Sequence, residues 1–251
     1  MSSNIGKPDM TFFRLRCWRE SDQERELVHK LYSTGLFTPR ERASWAVYHS
    51  TTYQRLQASK ALFTTFCQQL EQPLKIDTEA HTEFLILLEN ECAGTVRTAW
   101  LALDSLAHEI NLVCWKQAGR KDLYHPYVQE KKISFYMVRQ RLLLSAKLRN
   151  SPICQLLVQQ TQDATHRSQH YILLSNLAVR ASHRPLLLGC RWQQLAEDNR
   201  AYRILLTENE GMPREKAFSL HDVEIVTTLD DCLKWLTQFV DDVYFALSAN
   251  L

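Results

Sequence analysis

Val96-Arg97-Thr98-Ala99-Trp100-Leu101-Ala102-Leu103-Asp104-Ser105-Leu106-Ala107-His108-Glu109-Ile110-Asn111-Leu112-Val113-Cys114 decides the fold class. Val96, Ala99, Trp100, Leu103, Leu106, Ala107, Ile110, Val113 and Cys114 recur there at i, i+3, i+4 and i+7, the spacing of one face of an α-helix. The stretch predicts a central bundle helix beginning near Thr78, whose hydroxyl caps it, and running past Gly94 to about Lys116.

The same period extends outward. Asp22 to Ser33 is predicted as a charged helix closed by Gly35 and Pro39, and Arg40 to Leu70 runs without Gly or Pro, with Trp45, Tyr48, Leu56, Leu62, Phe63 and Phe66 at helical spacing. Glu130 to Leu148 is expected as one helix. Another is expected to open at Ser151 as N-cap with Pro152 in the first position, and a third to cover Ser168 to Val179. Arg203-Ile204-Leu205-Leu206-Thr207 and Val223-Glu224-Ile225-Val226-Thr227 are β-branched or aliphatic runs flanking Gly211 and Pro213, which predicts a small hairpin or edge ribbon near residues 203–228. Asp230 to Ala249 returns to helix. The expected fold is all-α in the main, an antiparallel bundle of long helices in a single domain. Residues 1–39 form an arm and helix, 40–200 the bundle core, and 201–251 the short β segment and C-terminal helix.

Composition supports this class. In 251 residues there are 6 Gly and 7 Pro, too few for the closely spaced turns of a β-sandwich, and 45% hydrophobic residues are ample for a core. The polar start and the absence of a long uninterrupted apolar run predict a soluble, cytoplasmic protein with no membrane partner. The seven cysteines include no C-x-x-C pair, so they are expected to be core thiols rather than zinc ligands or disulfides. No metal and no cofactor is expected. No G-x-x-x-x-G-K-S/T, G-x-G-x-x-G or G-x-S-x-G occurs, and His108-Glu109-Ile110-Asn111-Leu112 lacks the second histidine of a zinc-protease helix. Asp104 and His108, four apart, share a helix face and are read as structural, as are Glu109 and Asn111. Trp45, Trp100 and Trp115 permit a ligand within the bundle but read better as core.

Charge is segregated. Residues 131–196 hold ten Lys or Arg against the single acid Asp163, a net +9, whereas residues 197–251 hold five bases and eleven acids, a net −6. A basic middle suits RNA phosphates, with Lys131, Lys132, Arg139, Arg141, Lys147, Arg149 and Arg167 as candidate contacts; alternatively it packs against the acidic C-terminal segment. Within it, Asn176-Leu177-Ala178-Val179-Arg180-Ala181-Ser182-His183-Arg184-Pro185 offers chemistry. His183 would move a proton while Arg180 or Arg184 stabilised charge on a phosphorane, with Asn176 on the same segment.

The helix ending Leu103-Asp104-Ser105-Leu106-Ala107-His108-Glu109-Ile110-Asn111, the Asn176 to Pro185 segment and a closing helix rich in Phe239, Val240 and Tyr244 resemble the HEPN superfamily of helical bundles. The resemblance implies an RNA-binding or metal-independent RNA-cleaving protein, a toxin or antiviral defence effector, that dimerises so that an Arg-x(4–6)-His motif from each chain builds a shared site. His183 matches the family histidine. Leu177, Ala178 and Val179 occupy the arginine positions, Arg180 stands only three before the histidine, and no His follows Arg149-Asn150 closely enough. The departure favours binding over catalysis, and a non-catalytic helical scaffold or partner-binding subunit is the alternative.

Overall fold

The Ser21 side chain accepts the backbone N–H of Glu24 and so starts α1, Asp22–Ser33, which ends where Gly35 takes a left-handed φ of 62°. The protein is described by a computed structural model covering residues 21–70, 78–161, 169–183, 190–194, 202–206 and 225–251. Thr38 and Glu41 then exchange hydrogen bonds, Thr38 N–H to Glu41 Oε2 at 2.7 Å and Glu41 N–H to Thr38 Oγ1 at 3.3 Å. This reciprocal cap, with Pro39 in the first position, launches α2, Pro39–Leu70. α3 is Thr78–Gln117 and α4 is Phe135–Leu144. α5 is Pro152–Thr161, α6 is Gln169–His183 and α7 is Ile225–Ala249.

The fold is mostly helical. α2 and α3 form an antiparallel pair, shown by contacts of Glu41 with Lys116, His49 with Glu109 and Arg55 with Ser105. Gly94 of α3 faces α2, and a Cβ there would lie 3.3 Å from a Leu62 methyl. α1 crosses back along α2, and α7 lies parallel to α3, Tyr244 meeting Glu109 and Asn250 meeting Gln117. One core runs from Leu27 and Leu31 of α1 through Leu103, Leu106, Ile110 and Val113 of α3 to Leu236, Phe239 and Val243 of α7.

Two expectations are corrected. The helix expected over Glu130 to Leu148 is broken at both ends. A short 3-10 turn, Glu130–Lys132, comes first; Ser134 then caps α4 by accepting the Met137 N–H, and the chain leaves the helix at Ser145, whose hydroxyl donates to Asp122 and accepts the Leu148 N–H. Of the second run expected to pair near 203–228, Ile225, Val226 and Thr227 instead open α7, and Val223 and Glu224 lie outside the described residues. Ile225, Thr228, Leu229 and Cys232 are all buried, so burial of one helical face overrides their β-branched composition. Cys190–Gln194 instead runs antiparallel to Tyr202–Leu206, with Trp192 opposite Ile204. Helix α6 passes the expected end at Val179 and includes His183.

Candidate nucleic-acid interface

The antiparallel pairing puts the start of α2 beside the end of α3. Three left-handed residues follow α3, namely Gly119, Arg120 and Asp122, with φ of 71°, 66° and 66°. The Arg120 N–H reaches back to the Trp115 carbonyl at 2.8 Å, and its guanidinium lies 5.6 Å from the Trp115 ring centre. Trp115 meets His125 edge-on at 5.0 Å, His125 meets Tyr127 at 5.9 Å, and Arg40 stands over Tyr127 at 4.7 Å. The result is a chain of rings capped at each end by an exposed arginine. Beside it Arg141 lies 4.9 Å over Tyr124, whose backbone is pinned by Asn111 through bonds of 2.9 and 3.2 Å. Lys121, Lys147 and Arg149 are exposed at this end as well.

The acids of this region are already engaged. Lys116 and Arg120 face Glu41, at 2.8 and 3.9 Å. Burial alone would raise Glu41, but the hydrogen bonds from Lys116 and Thr38 outweigh it and hold the carboxyl below its usual value. Asp122 accepts from Ser145 at 2.8 Å. Asp122 keeps its charge because Ser145 is neutral, and Glu130 is exposed nearby, but Arg40, Lys121, Arg141, Lys147 and Arg149 outnumber these two acids and give this end a net positive field.

Of the seven residues expected to contact RNA, Arg141, Lys147 and Arg149 lie at this end and are exposed, and Lys131 and Lys132 are exposed on the turn leading to α4. Arg139 is elsewhere in character: at 7% exposure it donates to the carbonyl and hydroxyl of Thr161 at 3.0 and 2.8 Å, closing the end of α5. Arg167 and Arg184 lie outside the described residues, as do the side chains of Arg180 and His183. Asn176 is half-buried on α6. The last turn of α6 receives Arg97 of α3, whose guanidinium binds the Ala181 carbonyl. Arg97 and Lys116 belong to one helix, so this turn is about 30 Å along the α3 axis from the basic end. The candidate catalytic segment and the basic end are thus separate places.

A third place escaped the sequence reading. His49 on α2 lies between two buried carboxylates, its Nε2 2.8 Å from Glu24 of α1 and its Nδ1 3.0 Å from Glu109 of α3. Thr52 and Tyr244 donate to Glu109, and Tyr53 donates to Glu24 at 2.9 Å. Burial alone would lower His49, but Glu109 and then Glu24 more than reverse this and lift it to about 9. Both ring nitrogens are engaged and every member has a partner within the cluster, so the arrangement clamps α1, α2, α3 and α7 together rather than offering a free acid or base. Asp104 and His108 are not joined to each other: Asp104 faces the Phe135 N–H, and His108 stacks on Tyr48 at 4.8 Å. Burial favours the uncharged form of both, raising Asp104 and lowering His108.

Among the described residues no group of His, Cys, Asp and Glu is placed to hold a metal, and no helix is long and apolar enough to cross a membrane. Cys92 is buried, and Cys114, Cys154 and Cys232 are buried free thiols. In comparison with known proteins, no family model, no curated protein and no solved structure matches the chain.

Proposed function

We propose that this protein binds RNA through the basic end of its bundle. The observation that carries the proposal is the ring chain from Arg40 through Tyr127, His125 and Trp115 to Arg120, flanked by Arg141, Lys147 and Arg149. Phosphate binding requires uncompensated cations held in register. Here the rings hold the guanidinium groups of Arg40, Arg141 and Arg120, the last of which also faces Glu41 at 3.9 Å, so less side-chain entropy is lost when phosphates arrive. Exposed arginines stacked on rings also present flat faces to unpaired bases, which favours single strands over duplex.

Cleavage is a second reading, favoured by Arg97. The expected arginine is missing from the sequence ahead of His183, and Arg97 brings a guanidinium to the same turn of α6 from another helix. Dimerisation and a role in defence belong to this reading as further proposals.

The test is fluorescence anisotropy with a labelled single-stranded RNA at several salt concentrations, accompanied by gel analysis of the RNA in EDTA. Binding through about four phosphates gives a log-log salt slope near −3, and the double variant R120A/R141A flattens it by about 1 to 1.5. A slope near zero in wild type, or one unchanged in the double variant, refutes the interface. Cleavage in EDTA that disappears in His183→Ala establishes the second reading.

A further inference from the structure

In three pairs of arginine and ring at the basic end the guanidinium lies outside the ring: Arg120, Arg141 and Arg40 are exposed, Trp115 and Tyr124 are buried, and Tyr127 is half-buried. A pair on α4 has the opposite order. The Arg139 guanidinium lies 5.1 Å from the centre of the Tyr136 ring, and here the arginine is 7% exposed and the tyrosine 53%. One face of this ring is taken by a cation shielded from water, which leaves the exposed surface to the other face and the edge.

The cation beneath the ring is itself anchored. Arg139 donates to the carbonyl and the hydroxyl of Thr161 at the end of α5, at 3.0 and 2.8 Å, so Tyr136 rests on a fixed support. A tyrosine side chain has few torsions to fix, and its seat on Arg139 restricts them, so little entropy is lost when a flat partner settles on the open face. Shielding Arg139 takes only apolar bulk, whereas a flat ring held half in water offers a stacking surface, and every nucleobase has a π face to meet it. The surroundings suit a strand that carries such bases. Lys131 and Lys132 are exposed on the turn leading into α4, with Glu130 as the acid of that turn, and Arg141 follows Tyr136 on the same helix. Because Asp104 faces the Phe135 N–H, the start of α4 stands about 18 Å back along the axis of α3 from Lys116. From there α4 runs toward the basic end, where Arg141 meets Tyr124.

We infer that Tyr136 stacks on an unpaired base of RNA bound along α4, so that the protein reads a base at this ring as well as phosphates at its cations. The inference rests on the RNA-binding reading and adds to it a base-contacting residue outside the ring chain. Stacking of this kind is available only to unpaired bases, since those of a duplex are already stacked on one another.

The experiment compares two end-labelled 12-mers with equal numbers of phosphates, oligouridine and an abasic ribose-phosphate strand, by fluorescence anisotropy against the full chain and its Tyr136→Phe and Tyr136→Leu variants. Leucine still covers Arg139 but removes the π face, and the surface position leaves folding intact in both variants, to be confirmed by circular dichroism. Wild type is expected to bind oligouridine about 5- to 100-fold more tightly than the abasic strand. Tyr136→Phe should keep that ratio and Tyr136→Leu should cut it by about 5-fold or more, with the salt slope the same in all three proteins because no phosphate contact is removed. A ratio in Tyr136→Leu equal to that of wild type overturns the inference and leaves the RNA reading in place, as does equal binding of the two strands by wild type. An equal fall in both variants assigns the contact to the hydroxyl and overturns the stacking. If neither strand binds wild type, the RNA reading fails and the inference falls with it.

Discussion

Replacing His49 with glutamine tests how the interior of the bundle is held together. In the native protein one imidazolium lies between the Glu24 and Glu109 carboxylates, 2.8 and 3.0 Å away, and its pKa stands at about 9 against an ordinary 6.5. The folded state thus binds this proton more tightly than the unfolded chain does. The contribution is fully present below pH 6.5 and is lost as pH rises through about 9. A rise of this size corresponds to roughly 3 kcal/mol, since one pKa unit is about 1.4 kcal/mol. Glutamine keeps a hydrogen-bonding side chain but removes the charge, leaving two carboxylates in the interior without their cation, which costs about 3–5 kcal/mol. With a urea slope near 2 kcal/mol per M, the unfolding midpoint at pH 6 should fall by about 2 M. The pH profile is the sharper assay. Burial pushes the hydroxyls of Tyr53 and Tyr244 upward, so these neighbours stay protonated across the window. Wild type should lose about 3 kcal/mol more than His49→Gln between pH 6.5 and 9.5, on top of a loss near the upper limit that the buried thiols give both proteins. Equal slopes in the two proteins would show that His49 is not the titrating group.

Three further outcomes follow from the same structure. Asn111→Ala frees both the carbonyl and the N–H of Tyr124 in the interior and should cost about 2–4 kcal/mol in urea unfolding, with weaker RNA binding because Arg141 loses its ring support. Arg139→Met should cost about 1–3 kcal/mol by leaving Thr161 without its donor and leave the salt dependence of RNA binding unchanged; a flattened slope would contradict its interior placement. Gly94→Ala gains helix propensity worth up to about 1 kcal/mol against a 3.3 Å contact with the half-buried Leu62 methyl, which can turn aside. A Tm equal to wild type or a few degrees higher is expected, and a fall of more than about 5 °C would show that the α2–α3 spacing cannot yield.

Periodicity made the long helices legible. Asp22–Ser33 and the bounds of α2 and α3 follow from apolar spacing and from a few Gly, Pro and Ser signals. Reading failed where side chains answer to distant partners. Ser134 and Ser145 interrupt an otherwise helical run because their hydroxyls serve local N–H groups, while Ile225–Thr227 become helical only because α7 has a core to cover. The basic residues could be counted by segment, but Arg40 and Arg120 fall outside the most basic stretch and join it only through the α2–α3 pairing. Glu24 and His49 belong to no sequence motif, and Glu109 reads as structural. Their clamp spans three helices, and no local window contains more than one of them.

The link between α1 and α7 bears on the order in which the molecule can be made. Lys30 donates to the Ser248 carbonyl, and the Ser248 hydroxyl donates to Glu26, a partner 222 positions earlier in the chain. A ribosome adding about 5–20 residues per second needs on the order of 10–40 s to travel from one helix to the other. Throughout that interval Leu27 and Leu31 have no α7 to cover them. The nascent N-terminal helix must therefore wait for its last partner, and chaperone demand during synthesis should be greatest just before α7 clears the exit tunnel.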